Sequence, residues 1–284
     1  MEILYDNSIF PQQVALILGF FDGIHAGHQD VIKNTPACKK VVVTFSSSPA
    51  LYFKKSFKDI YPRDYNFKLM EKCGVDYIYV QDFSKIVNLS AKEYIDFLIE
   101  KFNPISITTG FNHTFGANRE GNSQYLSKNI HDIQIFNTQA TKINDEIVSS
   151  TLIKKYLKLG EISKANSFLT RNFSIQSKVI DGAKLGRELG YPTANLKYPE
   201  NIVKIPYGVY KVKVLDLPAI MNWGIKPTIG SDELIEIHIP NFNSNLYGKH
   251  LEFEIISKIR DEKKFNNLEE LKNQIKKDVE KCLK

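Results

Sequence analysis

The sequence predicts an α/β protein of two domains, a doubly wound parallel-sheet domain followed by a small antiparallel β-barrel with a terminal helix. Three observations predict it. Up to about Leu169, short near-continuous apolar runs alternate with helical stretches, the pattern of a parallel sheet covered on both faces. Beyond about Arg171 the apolar residues alternate by twos, as in an antiparallel sheet with one packed face. The 284 residues are 43% apolar and 12% aromatic, enough material for two cores. The boundary is expected near Thr170, giving domains 1–169 and 170–284.

Taken in order, residues 14–18, 41–45, 76–80, 105–109 and 133–136 read as the strands of the first domain. Between the third and fourth, Ser90 and Glu93 form a capping-box signature, and Tyr94, Phe97 and Leu98 follow at helical spacing. In the second half Tyr210, Val212 and Val214 are set against Val209, Lys211 and Lys213, and Ile235, Ile237 and Ile239 against Glu236 and His238. Runs at 220–223 and 251–256, punctuated by Gly and Pro, extend a small barrel that a helix over 268–283 closes.

Composition narrows the function classes. The formal charge of +6 favours anionic partners, but the lysines are spread over the whole chain and read as a solvated surface, so no nucleic-acid partner is expected. Cys38, Cys73 and Cys282 are far apart and form no C-x-x-C pair, which argues against a disulfide framework or a zinc site. Residues 1–13 lack the basic start and apolar run of an export signal, and no apolar stretch approaches the roughly 18 residues that cross a bilayer. A cytoplasmic protein without a membrane partner, a monomer or weak homo-oligomer, is expected.

The first chemical constellation follows the first strand: Gly19-Phe20-Phe21-Asp22-Gly23-Ile24-His25-Ala26-Gly27-His28, with a helix expected to begin around Gly27. Glycines let backbone amides approach a phosphate, and a helix N-terminus offers that anion free N–H groups. His25 and His28 can donate to phosphate oxygens as charge grows on a leaving pyrophosphate. Alone, H-x-G-H equally suits two capping or surface histidines, or half of a metal site. A second piece, Val148-Ser149-Ser150-Thr151-Leu152-Ile153-Lys154, also opens a helix after a strand, and its hydroxyls with a cation one turn later form another phosphate cradle. A plain helix cap would explain that segment alone, but not two cradles at strand-to-helix turns of one sheet.

H-x-G-H with a later S-S-T-x-I-[RK] resembles the nucleotidylyltransferase superfamily. The longer L-G-F-F-D-G-I-H-A-G-H-Q is similar to the adenylyltransferase module of prokaryotic bifunctional riboflavin kinase/FAD synthetases. The resemblance implies a Rossmann-like domain that joins FMN to AMP from ATP, with Gly19, Phe20, Asp22, Gly23, Ser150, Thr151 and Lys154 in the nucleotide site. Gly110-Phe111-Asn112-His113-Thr114-Phe115-Gly116 resembles the family's G-x-N-F-x-F-G loop, which implies a binding role for Asn112. The FMN phosphate is already anionic at neutral pH, so the step needs no protein base; it needs relief of anion–anion repulsion by His25, His28, Lys154 and Mg²⁺. Where the family reads T-F-x-P-H-P, this chain has Thr44-Phe45-Ser46-Ser47-Ser48-Pro49, and where its second motif ends in Arg, this chain has Lys154.

The second constellation is Gly182-Ala183-Lys184-Leu185-Gly186-Arg187-Glu188-Leu189-Gly190-Tyr191-Pro192-Thr193-Ala194-Asn195. Three glycines spaced by four would cost a helix roughly 1 kcal/mol each, so the segment reads as a loop, and Gly182, Lys184, Gly186 and Arg187 suit ATP phosphates. Thr193 and Asn195, alternate residues of an extended run, can direct two oxygens to one side to hold Mg²⁺. A flexible loop at a barrel mouth is the plainer alternative. The segment resembles the riboflavin kinase signature G-x-x-x-G-R-x-x-G-[YF]-P-T-A-N, and Tyr207–Tyr210, Asn222–Thr228, Glu236–His238, Leu246–Gly248 and Arg260–Phe265 match further motifs in order. The resemblance implies a kinase that uses ATP and Mg²⁺ on riboflavin, with Glu236 as the base for the ribityl hydroxyl and Arg260 in the substrate site. Asn241, Asn243 and Asn245 stand where the family has acidic residues. The expected function is riboflavin to FMN to FAD; the alternatives are a kinase with a weak or inactive first domain, or a nucleotide- or RNA-binding regulator.

Overall fold

The structure, a computed structural model, describes residues 1–181, 190–225 and 233–283. Its residues fall into two compact units, Met1–Ser150 and Thr151–Lys284. Gly182, Lys184, Gly186 and Arg187, and the 226–228 part of the Asn222–Thr228 match, lie outside the described residues.

In the first unit β1 (Glu2–Leu4), β2 (Ala15–Leu18), β3 (Lys40–Phe45), β4 (Tyr77–Gln81), β5 (Ser106–Gly110) and β6 (Gln134–Thr138) form one parallel sheet in the order β1-β4-β3-β2-β5-β6. The helices are α1 (Ala26–Lys33), α2 (Pro49–Tyr52), α3 (Arg63–Lys72), α4 (Phe83–Ile86), α5 (Ala91–Phe102) and α6 (Ser123–Asn129), and a hairpin of β7 (Lys142–Ile143) and β8 (Glu146–Ile147) follows. The five strands read from apolar runs each lie within two residues of the expected place; the short edge strand β1 and the hairpin were not expected. Leu16, Leu18, Val41, Val43, Leu98, Phe102 and Ile107 share one core, and each such buried side chain is worth about 1.5–3 kcal/mol over leaving it exposed. The Ser90–Glu93 capping box starts α5 as its sequence predicts.

In the second unit α7 (Ser150–Leu159), whose first residue closes the first unit, and α8 (Ile162–Leu169) lead into the barrel. Strands β9 (Phe173–Ile180), β10 (Ala194–Leu196), β11 (Gly208–Val214), β12 (Leu217–Ile225), β13 (Glu233–His238) and β14 (His250–Arg260) close antiparallel in the order β10-β13-β12-β11-β14-β9, and α9 (Leu268–Leu283) ends the chain. Tyr210, Val212 and Val214 are buried while Lys211 and Lys213 are partly exposed, as the alternation predicts; Val209, expected on the lysine face, is buried as well. Trp223, fully buried, donates its indole N–H to the Ile205 carbonyl at 3.1 Å. Asn166 fastens α8 to the barrel, accepting from the Phe173 amide at 2.8 Å and donating to the Ile255 carbonyl at 3.0 Å.

Candidate active sites

The strand order of the first unit reverses at β2, which lies between β3 and β5, and the Gly19–His28 turn leaves the carboxyl end of β2 at that point. Open α/β sheets bind ligands there. The turn is tightly wound: Phe21, Gly23 and Ile24 have φ of 57°, 90° and 39°. Only glycine enters this region without a Cβ penalty, and a Cβ on Gly23 would lie 2.7 Å from Ile60 Cδ1. His25 is the N-cap of α1, its Nδ1 accepting from the His28 amide at 3.3 Å. With Nδ1 an acceptor, the neutral ring carries its proton on Nε2 as a donor. The His25 and His28 rings stack at 3.6 Å, and Phe21 meets His28 edge-on at 5.0 Å.

The second cradle reaches the same turn. Ser150 Oγ donates to the Asp22 carbonyl at 2.8 Å, while the buried Asp22 carboxylate accepts from the Ile60 amide at 2.8 Å. Thr151, exposed, and Lys154, partly exposed, follow on α7. Beside α1 a cavity of about 410 Å³ is lined by Asp30, Asn34, Asn137, Thr138 and Thr141 among others. Thr138 Oγ1 is buried there with no hydrogen-bond partner among the described residues, and a Cβ on Gly27 would lie 3.6 Å from Thr141 Oγ1, so the cavity adjoins the histidine turn. Asn112 is exposed in the loop after β5. That loop is seated on the start of α5: Gly116 has φ 74° with the Ala91 backbone where a Cβ would sit, and Glu120 accepts from the Ala91 amide at 2.7 Å.

In the barrel the register sets Asn195 opposite Glu236 and Glu236 opposite Asn222, so three oxygen-bearing side chains form a row across β10, β13 and β12. Glu236 is partly exposed. Asn195 is 4% exposed, and its Oδ1 has no hydrogen-bond partner among the described residues. A buried amide oxygen left that way is costly unless a donor or a cation completes it. Among the described residues no cluster of three His, Cys, Asp or Glu could hold a metal by itself. Thr193 lines a cavity of about 330 Å³ with Val179, Ile237, Ile239, Phe242 and Tyr247. His238 is buried, its Nδ1 2.9 Å from the Pro192 carbonyl and its ring edge-on to Tyr191.

Comparisons with known proteins bear on both halves. The FAD synthetase family matches residues 8–152 and the riboflavin kinase family residues 169–284. A bifunctional riboflavin kinase/FMN adenylyltransferase of Buchnera aphidicola subsp. Schizaphis graminum is 35% identical over 94% of this chain and 92% of its own length. Enzymes of the same name from Bacillus subtilis and Escherichia coli are 32% and 31% identical, covering 100% and 97% of this chain and 97% and 94% of theirs. The chain belongs to the bifunctional riboflavin kinase/FMN adenylyltransferase family. A crystal structure of a macrolide-efflux protein from Streptococcus pneumoniae superposes with a TM-score of 0.90 at 27% identity, over 99% of this chain and 98% of that one. Among the described residues no helix is long and apolar enough to cross a membrane.

Against the family pattern three features take physical form. Ser47 and Ser48, which replace the first proline and the histidine, lead into a helix: Ser48 is the N-cap of α2, accepting from the Ala50 amide at 3.3 Å, with the retained Pro49 at the first helical position. Asn243 and Asn245 line the barrel cavity, and Asn245 Oδ1 accepts from the Tyr247 amide at 2.9 Å. Arg260 directs its guanidinium to the buried Asp278 of α9, with Nε at 2.9 Å and Nη2 at 2.8 Å, and donates Nη1 to the Asp261 carbonyl. Sequence reasoning missed Arg63 and Asn66, which sit behind the Gly19–His28 turn. They are unremarkable i, i+3 residues of a helix some forty positions downstream, and no spacing in the sequence marks them.

Proposed function

We propose that the barrel transfers the γ-phosphate of ATP to riboflavin and that the α/β half joins the resulting FMN to AMP from a second ATP, giving FAD and pyrophosphate. Residues 170–284 and 1–169 are assigned to the two reactions. The observation that carries the reading is the Asn195–Glu236–Asn222 row: a carboxylate suited to take a hydroxyl proton beside a buried amide oxygen suited to a cation.

In the kinase step Glu236 accepts the ribityl 5′-hydroxyl proton as that oxygen attacks the γ-phosphorus and ADP leaves. Thr193 Oγ1 and Asn195 Oδ1 would hold Mg²⁺, which offsets the phosphate charge. The 330 Å³ cavity beside Thr193 supplies apolar walls for an aromatic ring of either substrate. In the adenylyl step an FMN phosphate oxygen attacks the α-phosphorus of ATP, and the bond to the β-phosphate oxygen breaks. His25, His28, the first amides of α1, Ser150, Thr151 and Lys154 would stabilise the charge on that phosphate chain. Asn112 and the cavity beside Thr141 would take the rest of the two substrates. Free cysteines and ATP as co-substrate favour a cytoplasmic setting.

The test is direct. Purified protein given riboflavin, ATP and Mg²⁺ is expected to form FMN and then FAD, separated by chromatography. Glu236→Gln should abolish FMN formation yet leave FAD formation from supplied FMN, and His28→Ala should do the reverse, each loss on the order of 100-fold or more. FMN without FAD from the wild type would support the one-activity alternative, to which Ser47, Ser48 and Lys154 point.

A further inference from the structure

We infer that Asn66, with Arg63, is a positioning residue for adenylyl transfer: from α3 it fixes the Phe20–Ile24 backbone and so sets where the histidine turn presents its donors. The inference rests on the reading of the first half as an adenylyltransferase.

The turn is in a conformation that the chain would not keep unaided. Phe21 and the β-branched Ile24 are both left-handed, which sequence-local forces disfavour and surrounding structure must impose. Residues 60–66 impose it. Asn66 is fully buried; its Oδ1 accepts from the Gly23 amide at 2.8 Å, and its Nδ2 donates to the Tyr61 carbonyl at 3.0 Å. Both ends of one amide are thus committed, one to the turn and one to the start of α3. Arg63 donates from Nη1 to the Phe20 carbonyl at 3.0 Å and from Nη2 to Thr44 Oγ1 at 2.9 Å, while Thr44 donates to that same carbonyl at 3.0 Å. Its guanidinium lies 4.4 Å from the centre of the Phe20 ring. The Ile60 amide completes the bracket on Asp22 at 2.8 Å. Phe20, Asp22 and Gly23 are therefore each held from one short segment, and His25, two residues beyond Gly23, caps α1 from the end of that bracket. Since Asn66 is fully buried, it acts through the turn and not on a ligand.

Positioning of this kind shows in turnover more than in ground-state binding, because misplacing donors by about 1 Å costs on the order of 100-fold. The full-length chain is assayed for FMN to FAD conversion, with riboflavin to FMN conversion in the other half as an internal control. Asn66→Ala is expected to lower kcat for adenylyl transfer about 100-fold while KM for ATP stays within about threefold, with kinase turnover unchanged. Asn66→Asp keeps an acceptor of the same length for the Gly23 amide and is expected to recover kcat at least tenfold over the alanine variant. Recovery should grow as pH falls toward 6, where a protonated carboxyl also regains the donor for the Tyr61 carbonyl. The inference is overturned if Asn66→Ala keeps its kcat, if it loses both reactions alike, or if Asn66→Asp is no better than alanine. A wild-type chain that makes no FAD from FMN would instead overturn the reading on which the inference rests.

Discussion

His113 stands where the family loop has phenylalanine, and burial gives that exchange a consequence. The ring stacks on Phe115 at 6.1 Å, and its Nε2 is buried without a hydrogen-bond partner among the described residues. Desolvation pushes its pKa down to about 4, so the native protein holds it neutral while the unfolded chain takes a proton near pH 6.5. The unfolded state therefore binds more protons between those values, and stability must fall as pH drops through that window. The loss from pH 7 to pH 5 is on the order of 2 kcal/mol, a few degrees in Tm. Calorimetry at both pH values should show His113→Phe losing less than the wild type; equal losses would mean that the ring is hydrated. The loop itself was legible from its glycines and aromatics. The environment of its histidine includes Phe115, whose ring in turn meets Tyr94 of α5, a packing that the local sequence does not report.

At the level of elements, the last helix is attached to the barrel by a buried ion pair and by the Cys282 thiol, which donates to the Ala219 carbonyl at 3.2 Å. Asp278 of α9 is 1% exposed, and Arg260, at the end of β14, meets it through Nε and Nη2, with Gln274 donating to the other carboxylate oxygen at 2.8 Å. Removing one partner of such a pair leaves the other charge without compensation, a loss of about 3–5 kcal/mol. Asp278→Ala should lower the urea midpoint of the barrel correspondingly and Asp278→Asn by less, whereas an unchanged midpoint would show that α9 is held by its apolar contacts. The resemblance placed Arg260 in the substrate site, and its charge partner, eighteen residues away on a different element, has no sequence marker. The same limit explains what else was legible. Strands β2 to β6 announce themselves as continuous apolar runs and β11 to β13 through alternation, because burial on two faces or one imposes those patterns. Strand β1 is three residues with only Leu4 buried, too short to impose any period. Strand β10 is also three residues long, and it follows a glycine-rich stretch of sequence. The bracket of Arg63 and Asn66 is tertiary throughout, and nothing in α3 distinguishes it from a solvated helix.

For the whole molecule, the decisive question is whether two reactions share one chain or one site. Each compact unit has its own core and its own candidate constellation: the His25–His28 turn with Ser150 in the first, the Asn195–Glu236–Asn222 row in the second. The chemistry of the steps differs in the same way. A hydroxyl nucleophile needs a base, and a phosphate nucleophile needs relief from repulsion, so a single set of groups would serve one step poorly. FMN formed in one half is a stable anion that water can carry to any adenylyltransferase site in solution. Mixing Glu236→Gln and His28→Ala proteins, each unable to make FAD from riboflavin alone, should therefore restore FAD formation, after a lag while FMN accumulates. The lag should shorten as the His28→Ala protein is raised at fixed Glu236→Gln protein, because that variant supplies the FMN. A mixture in which the His28→Ala protein consumes riboflavin yet releases no free FMN and no FAD forms, while Glu236→Gln protein still converts added FMN, would show that the intermediate stays with the chain that made it.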